Sequence, residues 1–407
     1  MRSLDEQLGL VLDAAVRPAP VRMAISEAQG MLCAEDVVAD RSLPGFDQAA
    51  IDGYAVRSVD VKDVPVTLPV VGEIAAGSLQ PLRLQPGQAV RVATGSALPT
   101  LADAVVPLGY TENGTDHAAR VTVGRAVPSK AYVRRTGEDV RTGDVAVRSG
   151  VVLGPAQVGL LAAVGRGKVL VHPRPRLSVL SVGDELVDVD RTPATGQVYD
   201  VNSYALAAAG RDAGAEVHRV GIVPSEPARI RDVVEARLLR SELVVITCAA
   251  GGSMGEEVAG ALSELGEIDL SRVAMHPGSV QGFGWLGSPS VPTFLLPGNP
   301  ISALVVFEVL VRPLIRLALG KRNPYRRTIT ARLLSPVTST AGRRGFLRGQ
   351  LLRDPDTAEC LVQPLGTAGA HLLASLAEAN CLILIDAEAT EVPVGEEVAV
   401  SYLAQRG

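Results

Sequence analysis

Three loops in this chain carry residue types suited to gripping a phosphate. They are Gly183-Asp184-Glu185, Ala250–Gly255 and Leu296-Pro297-Gly298-Asn299-Pro300. Glycine lets a backbone approach an oxyanion closely, and a helix start supplies N–H donors. In the last loop Asn299 stands where an N-cap belongs, Pro300 opens the helix and Gly298 permits the turn before it. A well-capped buried helix would account for that loop alone. Three such loops at the end of one sheet point instead to a phosphate-bearing or nucleotide-like ligand.

A second group of polar residues lies nearer the N-terminus. Residues 43–57 break every period and hold Asp47 and Asp52 with Phe46 and Tyr54. Asp52-Gly53 reads as a turn, or as a carboxylate held rigid beside aromatics. Thr94-Gly95 sits in another turn, and Asp139 closes the paired-charge turn Arg134–Asp139.

The elements that position these loops follow from hydrophobic periodicity. Residues 4–16 and Val21–Gln29 read as helices, and Leu32–Ala39 as a strand. Val-rich runs broken by Gly and Pro across 66–134 form an all-β module. A helix is expected near Leu153–Leu161. Then come the strands Arg176–Val182, Glu216–Val223, Leu243–Cys248 and Thr293–Leu296. Between them lie the helices Ser203–Asp212 (capped by Asn202 and stopped at Gly214), Ser225–Leu239 and Glu256–Leu265, and a long helix runs from Ile301 to about Leu319. Alternating strands and helices give a parallel, doubly wound sheet whose ligand binds beyond the strand carboxyl ends. After a basic break at Lys321–Arg327 the chain returns to alternating runs, a small β module with one helical turn at Ser375–Ala379.

A net charge of −5 argues against a general nucleic-acid binder. No apolar run is long enough to span a bilayer, and the N-terminus does not read as a signal peptide. Cys33, Cys248, Cys360 and Cys381 lack metal or redox spacing and suit buried thiols in a reducing cytoplasm.

Taken in order, Leu43–Arg57, Thr94-Gly95 with Ala102–Val106, Arg134–Asp139, Ser181–Leu186, Ser253–Glu256 and Leu296–Ser302 resemble the MoeA family and the homologous E domain of gephyrin. The resemblance covers essentially the whole chain. It implies an α/β multidomain fold: a doubly wound parallel α/β (MogA-like) domain flanked by β-rich domains. The implied parts are an elongated domain I (1–40 and 135–170), a β domain II (41–134), an α/β domain III (171–320) and a C-terminal β-barrel domain IV (321–407). Members of the family insert molybdate into adenylylated molybdopterin and release AMP with a divalent metal, taken here as Mg²⁺. They work as homodimers whose pocket lies between one protomer's α/β domain and the other's β domain. Carried over by motif, Asp52, Thr94, Asp139 and Glu185 match polar active-site positions, with Glu185 on the metal side. Gly251, Gly252, Ser253, Pro297, Gly298 and Asn299 match the pterin-phosphate cradle.

The chain departs from the family pattern at three points. The usual Gly-Gly-Val-Ser-Met-Gly-Glu-x-Asp lacks its Val and ends at Val258 instead of Asp. Lys-Pro-Gly-Lys-Pro has become His276-Pro277-Gly278-Ser279-Val280, so both lysines are gone. Asp-Ser-Asn has become Asp200-Val201-Asn202. A carboxylate from Glu256 or Glu257, and partial charge on His276, would be the nearest replacements. The expected function is molybdopterin molybdenumtransferase. The alternative is a gephyrin-like scaffold, since Pro44–Gly53 resembles actinobacterial members similar to adaptors for FtsZ and a membrane receptor. That alternative would place the protein at the division septum.

Overall fold

The computed structural model describes residues 1–78, 82–112, 119–248, 253–366 and 373–403. The chain forms two compact units, Arg22–Val171 and the union of Met1–Val21 with His172–Gly407.

Arg22–Val171 is built from short strands. Its six-stranded sheet runs, in spatial order, Ala104–Pro107, Gly53–Val56, Ala89–Val92, Val66–Ile74, Arg120–Val123 and Thr111–Glu112. Tyr54, Val56, Val106 and Val121 fill one core on it, and Ala55, Val90, Val92 and Val105 another. The expected helix at Val21–Gln29 is instead a strand, Val21–Ala24, which joins Lys168–His172 and Leu32–Cys33 in a small sheet. The expected strand Leu32–Ala39 is two short strands, because Val37–Val38 leaves that sheet to pair with Val145–Val147. A helix at Pro155–Ala163 carries Leu161 into the same core as Cys33 and Val169.

The second unit opens with helix α1, Leu4–Asp13, whose Ser3 and Glu6 form a capping box. Its α/β layer contains β1 (Arg176–Val182), α2 (Asn202–Ala213), β2 (Glu216–Val223), α3 (Pro227–Leu238), β3 (Leu243–Cys248) and α4 (Ser253–Ala261). These are followed by β4 (Gly266–Arg272), β5 (Val280–Leu286), β6 (Val291–Pro297), α5 (Pro300–Val306) and α6 (Arg312–Ala318). The sheet order is β2-β1-β3-β6-β5-β4. The first four strands are parallel, while β5 and β4 add an antiparallel edge that the sequence did not announce. Alternation along each strand feeds two cores. Leu177, Val179, Val245, Phe294 and Leu296 meet α2, α5, α6 and Leu4 and Val11 of α1. Leu180, Val182, Val244 and Ile246 meet α3 and α4 on the opposite face. The long helix from Pro300 is one helical run with a π segment at Phe307–Val311, just ahead of Pro313, which has no N–H to donate.

The remaining strands are β7 (Thr328–Leu333), β8 (Arg344–Arg353), β9 (Cys360–Pro364), β10 (Cys381–Ile385) and β11 (Glu397–Tyr402). They pair in the order β8-β9-β7-β11-β10, and β10 pairs back onto β8, which closes the sheet. The short strand Met275–His276 lies parallel to β8 at Arg344 and Gly345. That pairing ties the α/β layer to the barrel strand carrying Arg348. Among the described residues no helix is long and apolar enough to cross a membrane.

Candidate functional site

Register sets the three strand ends side by side. Ser181 on β1 faces Thr247 on β3, and Cys248 faces Pro297 on β6. Beyond them opens a cleft of about 830 Å³. Glu185, Asp200, Asn202, Ser253, Gly298 and Asn299 stand on its wall, and Pro297 lines it too. Glu185 is exposed. The Cys248 thiol on the floor is buried, and burial with help from the Glu185 carboxylate pushes its pKa to about 12. It is therefore inert at neutral pH. Gly251 and Gly252 lie outside the described residues.

The helix start at Asn299 is not the donor set that its sequence promises. Asn299 Oδ1 accepts from the amides of Ile301 and Ser302, both at 3.1 Å, and its carbonyl accepts from Ala303. Pro300 has no N–H. The amides of the first turn are thus consumed by its own cap. Asn202 is the first residue of α2 and not its cap. Its Nδ2 donates to the Gly298 carbonyl at 2.7 Å and pins the two loops together. Capping falls to Asp200, whose Oδ1 accepts from the Ser203 amide at 3.0 Å.

Asp200, quoted above only as part of the altered Asp-Ser-Asn motif, proves to be a cleft residue. It is 2% exposed and lines the cleft. Ser181 Oγ donates to its Oδ1 at 2.8 Å and Ser203 Oγ donates to its Oδ2. The clue in the sequence was an Asp two residues before a helix that begins with Asn.

The loop carrying His276 and Ser279 separates the cleft from a second cavity of about 340 Å³. Gly278, Asn299 and Ser302 line both spaces. His276 opens on the smaller cavity, but burial and then the nearby Arg343 hold its pKa below the ordinary value. Both effects work against the charged imidazole that would stand in for a lysine. Ser279 Oγ donates to the Val273 carbonyl at 3.0 Å. Among the described residues lining the two cavities, the permanent cation is Arg348 of β8. It is 7% exposed, and burial lowers its pKa from a value high enough to leave it charged. Gly366 makes room for it, since a Cβ there would stand 3.1 Å from Nη2. Phe346 and Arg348 share a face of β8, so an Arg in an apolar phase was the missed signal.

Val258 is 0% exposed within the core between α4 and the sheet. It belongs to that core, and an acid there would not be reached from water.

In the other unit Asp52 Oδ1 accepts from the amide and the hydroxyl of Thr94, each at 2.7 Å. Those two bonds, with Arg91 nearby, hold its carboxyl below the usual range. Asp139 lies in a turn whose amide donates to the Leu43 carbonyl. No hydrogen bond joins it to the Asp52–Thr94 pair among the described residues. Arg135 is paired with Asp47 at 3.1 Å. Among the described residues no group of three His, Cys, Asp or Glu side chains gathers as a metal site.

Three family models match the chain in succession. The MoeA N-terminal region (domain I and II) covers residues 2–165, the probable molybdopterin binding domain covers 178–317, and the MoeA C-terminal region (domain IV) covers 330–403. The chain belongs to the MoeA family. Molybdopterin molybdenumtransferase 1 of Mycobacterium tuberculosis is 61% identical over 429 aligned residues, covering all of both chains. The molybdopterin molybdenumtransferase of Haemophilus influenzae is 32% identical over 98% of each. A crystal structure of a MoeA molybdopterin biosynthesis protein from Pyrococcus horikoshii superposes with a TM-score of 0.82. It is 30% identical and covers 99% of each chain. At family level this MoeA chain is a molybdopterin molybdenumtransferase of molybdenum-cofactor biosynthesis.

Proposed function

We propose that the chain inserts molybdenum from molybdate into adenylylated molybdopterin and releases AMP. We further propose that the two joined cavities divide the substrates. The larger cleft takes the pterin with its diphosphate, and the smaller takes molybdate beside Arg348. The observation that supports this is the shared wall. Gly278, Asn299 and Ser302 face both spaces, so ligands in the two cavities would meet across one loop.

Charge supports the same division. Molybdate is a dianion, and cleavage of the diphosphate builds further negative charge. Fixed cations in a water-poor site stabilise such charge strongly. Arg348 fills that part in place of the lysines that His276 and Ser279 replace. Thr338 and Ser302 add hydroxyls around the same cavity. Asp200, satisfied by three donated bonds, gives the cleft a rigid acceptor for pterin N–H groups.

A divalent ion fits this reading. Mg²⁺ retains several waters and is bound by one or two carboxylates together with substrate phosphates. Glu185, exposed on the cleft wall, would hold it, and the ion would neutralise charge on the diphosphate. Glu256 and Glu257 are not among the cleft residues.

By resemblance, Asp52, Thr94 and Asp139 serve the cleft of a second copy, which makes the working form a homodimer in the cytoplasm. Val198 and Tyr199 on the cleft wall are each more than a third exposed and suit such a cover. Light scattering at micromolar concentration should give twice the chain mass, and a folded monomer would overturn the dimer. The transfer itself is tested by molybdate-dependent AMP release from adenylylated molybdopterin. Absence of release would return the scaffold alternative, with its FtsZ and receptor partners.

A further inference from the structure

Arg219 on β2 does not line the cleft, yet it begins a hydrogen-bond chain that ends on the cleft wall. Its Nη1 donates to Ser203 Oγ at 3.1 Å. Ser203 Oγ donates to Asp200 Oδ2. A guanidinium only donates, so the Ser203 oxygen must accept from Arg219 and its single proton is left for Asp200. The direction of both bonds is thereby fixed. Asp200 Oδ1 is fixed in the same way from the other side. Thr247 Oγ1 donates to Ser181 Oγ at 3.0 Å, and Ser181 donates onward to Oδ1 at 2.8 Å.

Arg219 is itself clamped. Its Nη2 donates to Asp188 Oδ2 at 3.2 Å, and its Cζ lies 3.9 Å from the centroid of the Tyr204 ring. Tyr204 hydroxyl closes the clamp by donating to Asp188 Oδ1 at 2.6 Å. Asp188 responds to these donors with a pKa below its ordinary value, and Tyr204 with one above. Charge, stack and phenol therefore converge on one guanidinium whose free arm points at Ser203.

We propose that Arg219 is a positioning residue for the transfer reaction, orienting the Asp200 carboxylate through Ser203. The proposal rests on the reading of the cleft as the transfer site. A purely structural role fits the geometry less well. The Arg219–Asp188 pair is partly exposed, with side chains 26% and 32% accessible, and such pairs stabilise folds little. What Arg219 adds is a donor that holds in place a buried hydroxyl touching a buried acid in the cleft.

The experiment is steady-state AMP release by the full chain with molybdate and adenylylated molybdopterin. The variants are Arg219→Leu, Arg219→Lys, Ser203→Ala, the Arg219→Leu/Ser203→Ala double and Asp200→Asn. Arg219→Leu is expected to lower kcat about tenfold, a typical effect of losing an outer partner of a site residue, with KM within about twofold. Arg219→Lys, which retains a donor for Ser203, should regain most of the rate. Ser203→Ala should match Arg219→Leu, and the double should be no worse than either single, because the two act in one chain. Additive losses, or a rise in KM in place of a fall in kcat, would overturn the relay. So would a full-rate Arg219→Leu beside an impaired Asp200→Asn. Should Asp200→Asn retain full activity, the assignment of Asp200 to the transfer site fails instead.

Discussion

A Cβ on Gly278 would stand 2.3 Å from Cγ2 of Val306. The loop that divides the two cavities is therefore pressed directly onto α5, with Gly278 at φ +91°. The divider can approach the helix this closely because Gly278 has no side chain of its own. Gly278→Ala should destabilise the fold by roughly 1–3 kcal/mol, from overpacking and from strain at a left-handed φ. It should also merge or collapse the cavities. Thermal unfolding and molybdate affinity read the two effects separately, and a variant equal to wild type in both would show that the loop is free to shift.

Asn299 supplies a cap and a piece of cleft wall at once. Asn299→Ala should cost about 1 kcal/mol of stability through the lost cap. Asn299→Asp retains the cap but brings a carboxylate to a wall shared by both cavities. Its unfolding transition should match wild type while affinity for a phosphate-bearing ligand falls. Equal ligand affinity would make this loop structural only.

Val258 separates two readings of one sequence difference. A lost site acid would be restored by Val258→Asp, with a gain in activity. A core position would instead bury an unpaired charge and destabilise by more than about 3 kcal/mol. The latter is expected, because Val258 is fully covered among Leu180, Val234 and Ile246. Denaturant unfolding decides it, and a stable, more active variant would contradict the structure.

His276 sets a pH dependence of stability. Its pKa is lowered in the folded chain by burial and by Arg343. The unfolded chain thus binds the proton more readily between the folded value and the ordinary one near 6.5. Stability falls as pH drops through that window and levels off above it. Asp47, Asp52 and Asp103, whose pKa values are also lowered, act in the same sense but in a more acidic window. Their contribution is present above the ordinary Asp value and is lost as pH falls through their folded values. His276→Asn should flatten the thermal-stability profile just below pH 6.5 and leave the acid limb unchanged. A profile that keeps its slope there would remove His276 as the cause.

How far these features could be read beforehand follows from where each residue finds its partner. Strands β1, β2 and β3 were read to the residue, because their apolar runs are bounded by Pro, Gly or charge. Val21–Ala24 was misread because its Val, Met and Ala suit either state. Its pairing with Lys168–His172 decides the matter from far along the chain. The cleft itself was legible in three loop motifs. Its chemistry was less so. Asn299 reads as an anion-binding helix start, but the same side chain that makes it a good cap consumes the donors. Arg348 escaped notice because it sits in a barrel strand without a motif, and only the pairing of Met275–His276 with β8 brings that strand beside His276.

The most direct measurement is the molybdate dependence of AMP release by wild type and Arg348→Met. Arg348 is proposed to hold the oxyanion, and a charged hydrogen bond contributes about 1.5–3 kcal/mol. The variant should therefore need on the order of tenfold more molybdate or greater, since 1.4 kcal/mol corresponds to a factor of ten. Its KM for adenylylated molybdopterin should stay close to that of wild type. An unchanged molybdate dependence in a folded Arg348→Met protein would contradict the division of substrates between the two cavities.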